Sequence, residues 1–153
     1  MAYWLLKSEP SVFSIDDLEN RGVSLWDGVR NYQARNFMRQ MQTCDSAFFY
    51  HSSCPEPGIA GTMALARTAY PDPTQFDPEG PYHDPASSPA KPRWDAVDVR
   101  FVEKFLQVVP LATLRAMPEL GNLALVQKGS RLSVMPVTAA EWQAILRAAE
   151  RHY

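Results

Sequence analysis

The segment covering residues 26–36 concentrates side chains whose chemistry suits a nucleobase. In order it reads Trp26, Asp27, Gly28, Val29, Arg30, Asn31, Tyr32, Gln33, Ala34, Arg35 and Asn36. Aromatic faces can stack on a flat ring, amides can read its donor and acceptor edge, and arginines can bind phosphate. A tight turn with ordinary core aromatics has a similar composition, so both interpretations stay open.

Each of these side chains has a structural alternative. Trp26 can stack on a base or pack in the core, and Tyr32 can line the same cavity or serve the fold. Asn31 can read a base edge or cap the helix that follows it. Arg30 and Arg35 can contact phosphate or lie as solvated surface charges, and their clustering favours the phosphate contact.

The sequence gives less support to a catalytic site or a metal site. A hydrolase would pair His51 with Ser52 or Cys54, but adjacent strand residues point to opposite faces and no acid to orient the histidine is identifiable. The histidines, His51, His83 and His152, do not complete a zinc site with the two cysteines. We therefore expect no catalytic residues, no metal and no cofactor.

Bulk properties restrict the partners and the location. The chain has 153 residues, a net charge of −2 and a pI of about 5.9, which argues against strong nonspecific duplex binding. Residues 21–42 nevertheless carry four arginines against one aspartate, which favours recognition of a small site. No apolar run reaches the roughly 18 residues of a membrane span, and no secretion signal precedes the first strand. We expect a cytoplasmic protein with reduced thiols.

Hydrophobic patterning predicts the elements that position these residues. Alternating and β-branched segments predict strands over residues 3–7, 23–26, 46–51, 59–68, 94–102, 105–109 and 132–137. Apolar periodicity and capping residues predict helices over 14–20, 33–42 and 111–117, with a terminal helix after the capping box at 138–141. Short strands and short helices without a βαβ series indicate an α+β fold, a small mixed barrel with helices around it.

The proline-rich loop, residues 71–92, holds seven of the thirteen prolines. Such density is incompatible with a regular helix or a central strand, so we predict one long surface loop. Loops of this length in a compact domain are usually functional or mobile. Neither flank completes a barrel alone, so the chain is expected to form a single domain over 1–153.

Six motifs give the chain a family resemblance. They cover residues 3–10, 26–36, 49–52, 57–61, 94–99 and 131–137 and read YWLLKSEP, WDGVRNYQARN, FYHS, PGIAG, WDAVDV and RLSVMPV. In combination they resemble the EVE domain, a family of the PUA-like superfamily that also contains the YTH readers of methylated adenine. The resemblance runs from about residue 2 to the C-terminus.

The resemblance implies a PUA-like pseudo-barrel of about five to six strands with peripheral helices. It also implies a non-enzymatic nucleic-acid-binding module whose pocket accepts one modified base in DNA or RNA. A small-metabolite or protein-interaction sensor using the same pocket is the alternative. Together with the residue types, it gives this candidate site: Lys7, Ser8, Trp26, Val29, Arg30, Asn31, Tyr32, Arg35, His51, Ser52, Trp94 and Ser133.

Overall fold

The computed structural model describes residues 1–150 as one six-stranded sheet with helices around it. The strands are β1 (Tyr3–Ser8), β2 (Val23–Trp26), β3 (Ser46–His51), β4 (Gly58–Pro71), β5 (Asp95–Pro110) and β6 (Val134–Val137). The α-helices are α1 (Ile15–Arg21), α2 (Tyr32–Gln40), α3 (Leu111–Arg115) and α4 (Ala139–Glu150). Short 3-10 helices cover Pro73–Phe76, Pro118–Leu120 and Ala124–Val126.

The sheet has the strand order β2-β5-β4-β3-β1-β6. The β1–β3 pair is parallel, and the other neighbouring strands are antiparallel. The expected α+β fold with about six strands and peripheral helices is confirmed. Within the described residues the edge strands β2 and β6 do not pair, so the sheet stays open and the barrel is not closed by hydrogen bonds.

The sheet curls so that strands distant in its order approach each other. Trp26 on β2 packs against Phe49 on β3 with ring centroids 5.0 Å apart, although β5 and β4 lie between these strands in the sheet. A core of buried side chains fills the concave side, where α1 and α2 also pack. A second core lies under α4, where Trp142 stacks on Phe48 at 3.8 Å.

Helix boundaries follow the capping residues that the sequence indicates. Ser14 and Asp17 form a reciprocal capping box at the start of α1, and Thr138 and Glu141 form the same box before α4. Asn31 accepts a hydrogen bond from the backbone N–H of Ala34 at 2.9 Å and caps α2. These bonds satisfy helix N–H groups that have no partner inside the helix.

Two expectations about the second half of the chain were wrong. The predicted strands at 94–102 and 105–109 are one strand, β5, because Glu103 and Lys104 continue the ladder by pairing with Thr62 and Gly61. Their charged side chains interrupt the apolar pattern but not the backbone pairing. The loop predicted over 71–92 is not surface throughout, since Asp72 and Gln75 within it are fully buried.

Candidate functional site

A cavity of about 370 Å³ opens between the end of β2 and the ends of β1, β3 and β6. Strands β5 and β4, which separate these two walls in the sheet, contribute no lining residue. The cavity therefore exists because the sheet curls without closing. Its lining residues are Lys7, Ser8, Glu9, Val12, Phe13, Leu25, Trp26, Asp27, Gly28, Val29, Ser52, Ser53, Tyr82, Arg131 and Ser133.

Trp26 belongs to the core and also reaches the cavity. Its side chain is only 5% exposed and meets Phe13 and Phe49 edge-on, with centroid distances of 5.9 and 5.0 Å. Edge-to-face aromatic contacts of this kind stabilise a fold beyond the area they bury. The two interpretations of Trp26 are thus not exclusive, and its substitution would damage the core as well as the cavity.

Gly28 and Tyr82 bring the proline-rich loop onto the cavity. Gly28 has a φ of +77°, and a Cβ at this position would lie 2.7 Å from Cζ of Tyr82. The tyrosine ring therefore packs directly on the glycine backbone, at a distance that no other residue allows. Tyr82 forms a cavity wall that the sequence reasoning missed, and its only signal was an aromatic side chain among prolines, a signal that Phe76 shares.

Asp72 fixes the start of this loop to the segment after β2. Its buried carboxylate accepts hydrogen bonds from the backbone N–H of Gly28 at 2.9 Å and from Arg30 Nη1 at 3.0 Å. The backbone N–H and the hydroxyl of Thr74 donate to its other oxygen, at 2.8 and 2.6 Å. A buried carboxylate with this many donors is satisfied by the protein alone.

Arg30 takes part in the same network and does not line the cavity. Its Nε and Nη2 donate to the carbonyl oxygen of Tyr82 at 3.1 and 2.8 Å, and Nη2 also donates to Thr74. The guanidinium expected to contact phosphate is thus engaged in holding the loop. Its side chain is 22% exposed.

Tyr32, Arg35 and Trp94 form a stack apart from the cavity, in which Trp94 is buried and Tyr32 is half exposed. The rings of Tyr32 and Trp94 lie 4.7 Å apart, and the guanidinium of Arg35 covers Tyr32 at 4.7 Å. Trp94 Nε1 donates to Asp84, and Arg35 donates to the Arg93 carbonyl. None of the three lines the cavity, so they do not form its second wall.

His51 lies behind the cavity and supports α1. Its Nε2 accepts a hydrogen bond from the backbone N–H of Ile15 at 3.1 Å. Burial lowers the pKa of His51, Asp16 opposes this shift and Lys104 adds to it. Because Nε2 accepts this bond, it is not free to take a proton from Ser52 or Cys54. The arrangement therefore argues against a hydrolase that uses His51 as its base.

The cavity itself contains charges of both signs. Burial lowers the pKa of Lys7, whose Nζ lies 5.7 Å from the ring centroid of Tyr50. On the opposite wall, burial and the charge of Asp72 raise the pKa of Asp27, while Arg30 and Arg21 oppose the shift. Such perturbed groups in a concave site are typical of ligand binding.

Ser52 and Ser53 add hydroxyl groups at the end of β3. Ser53 has a φ of +53°, in the left-handed region that non-glycine residues rarely occupy. Strained backbone conformations of this kind persist where the surrounding structure enforces them, often at binding sites. Here the strained residue lines the cavity.

The structure brings together half of the candidate residues. Those that line the cavity are Lys7, Ser8, Trp26, Val29, Ser52 and Ser133, and those that do not are Arg30, Asn31, Tyr32, Arg35, His51 and Trp94. Sequence reasoning missed the lining residues Glu9, Val12, Phe13, Leu25, Asp27, Gly28, Ser53, Tyr82 and Arg131. Four of these, Glu9, Asp27, Gly28 and Arg131, lay inside motifs already recognised, so motif membership was a usable signal.

Other features of the described residues do not point to a different site. A groove of about 890 Å³ beside α3 is lined by none of the candidate residues. Residues 1–150 contain no cluster of histidine, cysteine, aspartate or glutamate that could hold a metal ion. In the same part of the chain, no helix has both the length and the apolar character to cross a membrane.

Comparisons with known proteins agree with one another. The EVE domain profile matches residues 2–148. Human thymocyte nuclear protein 1 is 43% identical over 169 residues, which cover 98% of this chain and 75% of that protein. A crystal structure of a protein from Pseudomonas syringae is 58% identical, with a TM-score of 0.96 over 97% of this chain and 99% of that one.

One further solved structure carries a ligand. It is human thymocyte nuclear protein 1 in complex with DNA containing 5-methylcytosine, 43% identical to this chain, with a TM-score of 0.93 and 98% of each chain covered. Profile, sequence and structure thus give one answer over nearly the whole described chain. The protein belongs to the EVE domain family.

Proposed function

We propose that the chain is a non-enzymatic reader domain that binds one modified base of a nucleic acid in the cavity between β2 and β1. The observation that supports this most directly is the cavity's construction, which combines aromatic and apolar walls with polar groups of both signs. Ligand sites in proteins are commonly of this kind, with a few polar groups setting the orientation.

The size of the cavity favours a single base over a larger ligand. Its volume of about 370 Å³ is near the lower end of the range for small-molecule sites, about 300–1,000 Å³. A base must leave its stack to enter, which costs a few kcal/mol in a duplex and less where pairing is weak. Aromatic contacts worth roughly 1–3 kcal/mol per base can offset that cost.

The DNA-bound relative supports the identity of the ligand. Human thymocyte nuclear protein 1, with 43% identity over 98% of this chain, was crystallised with DNA containing 5-methylcytosine. We therefore place 5-methylcytosine in DNA first among the modified bases to test, with RNA as the alternative. The hydrogen bonds of Asp72 and Arg30 hold Gly28 and the backbone of Tyr82 in place without a ligand, which supports a preformed cavity.

The absence of enzymatic activity and the cytoplasmic location stay part of the proposal. The engaged nitrogen of His51 supports a binding role over hydrolysis. The vertebrate relatives are named as nuclear proteins, which gives no specific support to the cytoplasm.

The test fills the cavity without touching the core. Ser133→Tyr introduces a ring where a small side chain lines the cavity, and Ser11→Tyr introduces the same ring at an exposed position outside it. Binding of fluorescent DNA and RNA oligonucleotides with one 5-methylcytosine or one cytosine would be measured by anisotropy. We expect Ser133→Tyr to weaken binding at least tenfold and Ser11→Tyr to leave it unchanged.

Two results would overturn the proposal. One is that no modified or plain oligonucleotide binds the wild-type chain, and the other is that Ser133→Tyr binds as tightly as Ser11→Tyr. Free 5-methyl-2′-deoxycytidine should bind much more weakly than the oligonucleotide, because backbone contacts supply most of the affinity for nucleic acid. Equal affinity would instead identify a small-metabolite sensor.

A further inference from the structure

Asp27 is a charged side chain of the cavity that the fold does not use. It follows β2 directly and is partly buried, and it lines the cavity. Within residues 1–150 its carboxylate forms no ion pair and accepts no hydrogen bond from another residue, only one from its own backbone N–H. The nearby guanidinium of Arg30 is already held by Asp72 and the Tyr82 carbonyl.

This arrangement costs the free protein stability. Burial and the charge of Asp72 both raise the pKa of Asp27, which means that its carboxylate form is less favourable in the folded protein than in water. A partly buried carboxylate with acceptor capacity to spare is expected where a ligand brings the missing donor. Asp72, which has four donors, shows that the same residue type is fully satisfied when its role is structural.

We propose that Asp27 is a specificity-determining residue that accepts a hydrogen bond from the exocyclic amine of a cytosine-type base, so that the cavity rejects thymine. This inference rests on the proposed function of the same cavity. It adds to that function a selection between 5-methylcytosine and thymine, which both carry a methyl group at C5.

The chemistry of the two bases makes Asp27 the discriminating group. Both 5-methylcytosine and thymine carry a methyl group at C5, so an apolar niche for the methyl cannot distinguish them. At position 4, cytosine presents an amine donor and thymine a carbonyl acceptor. A carboxylate accepts from the first and repels the second.

The opposite wall fits the part that the two bases share. Lys7, Ser52 and Ser133 supply donors from the ends of β1, β3 and β6. Both bases carry a carbonyl oxygen at position 2 that can accept from such groups. The β2 wall therefore offers an acceptor, and the wall across from it offers these donors beside the exposed carboxylate of Glu9.

A factorial experiment separates the amine from the methyl group. Four single-stranded oligonucleotides would differ at one position only, carrying 5-methylcytosine, cytosine, thymine or uracil. The same four bases would also be placed in duplexes opposite an abasic site, so that no pairing energy distinguishes them. We expect the wild type to bind 5-methylcytosine over thymine by roughly 5- to 150-fold, the range for a good base-edge contact.

The variant Asp27→Asn tests the assignment, because an amide can turn its NH₂ toward a carbonyl at position 4. We expect the ratio of thymine to 5-methylcytosine affinity to rise at least fivefold, with the preference for 5-methylcytosine over cytosine retained. Glu19→Gln is the control, because Glu19 is an exposed carboxylate that does not line the cavity, and it should keep the wild-type ratios.

The outcomes are distinguishable. If the wild type binds no oligonucleotide, the proposed function fails and this inference with it. If the wild type binds but Asp27→Asn keeps the wild-type ratio, or Glu19→Gln changes the ratio as much, the assignment of Asp27 fails alone. Thermal melting at pH 7 should show Asp27→Asn at least as stable as the wild type, since the substitution removes a carboxylate whose charged form burial disfavours.

Discussion

Asp27 and Asp72 illustrate at the residue scale how one side-chain type takes two roles in one site. Asp72 is fully buried and receives four hydrogen bonds, so it acts as an internal anchor for the loop. Asp27, close enough to feel the charge of Asp72, has no such donors and faces the cavity. The number of available donors, and not the residue type, separates the structural carboxylate from the one that a ligand can use.

Gly28 gives a prediction at the same scale. Gly28 and Gly22 share almost the same φ, +77° and +78°, but only at Gly28 would a Cβ meet Tyr82. We expect both alanine substitutions to lower the free energy of unfolding by about 1–2 kcal/mol through backbone strain. Only Gly28→Ala should also displace Tyr82 and weaken binding of the 5-methylcytosine oligonucleotide. Denaturant unfolding and anisotropy on both variants measure this, and equal binding by the two would contradict the role of Tyr82.

At the element scale, α1 depends on a contact that sequence patterns do not reveal. Its capping box was readable from Ser14 and Asp17, because these bonds are local. The hydrogen bond from the Ile15 backbone N–H to His51 joins residues 36 positions apart, so it could not be predicted from a local pattern. Local chemistry thus predicted where α1 begins, but not what the end of β3 contributes to it.

The same bond predicts a pH dependence of stability. Burial lowers the pKa of His51 in the folded protein below its usual value of about 6.5. The stabilisation from neutral His51 is therefore present above about pH 6.5 and is lost as the pH falls through the folded pKa. Protonation would also remove the acceptor and place a cation at the start of a helix.

His51→Gln supplies the comparison, because a glutamine oxygen can accept from Ile15 without titrating. We expect the melting temperature of the wild type to fall relative to that of His51→Gln between pH 7 and pH 5. The difference between the two melting curves at each pH is the quantity to measure. If the melting temperatures of the two proteins changed in parallel between pH 7 and pH 5, protonation of His51 would not destabilise α1 in this range.

The proline-rich loop marks the limit of prediction for whole elements. Proline density correctly excluded a regular helix or a central strand over most of 71–92, but it gave no sign of the buried anchor Gln75. Its amide donates to the Asp72 and Trp94 carbonyls, and its oxygen accepts from Ser87 and two backbone N–H groups. These partners are up to 19 residues away, so no local pattern contains them.

At the scale of the whole molecule, the fold was more predictable than the site. Strand and helix patterns depend on periodicity within a few residues, and all six strands lie where periodicity placed them, with β5 as one element instead of two. The site depends on how the sheet curls, which brings β2 to the ends of β1 and β3. That is why Arg30 and Trp94, chosen by proximity in sequence, lie outside the cavity, whereas Tyr82 lies inside.

The open sheet predicts a mechanical role for a base bound in the cavity. A base held by Asp27 on one side and by Lys7 on the other would connect two regions of the sheet that no hydrogen bond between the strands of residues 1–150 joins directly. We expect this non-covalent crosslink to slow amide hydrogen exchange along β2 and β6, including residues that do not contact the base, and to add an unfavourable conformational entropy to binding. Exchange mass spectrometry with and without the 5-methylcytosine oligonucleotide measures the effect, and protection limited to the lining residues would contradict it. The ligand would thus join the two sides of a sheet that its own strands leave open.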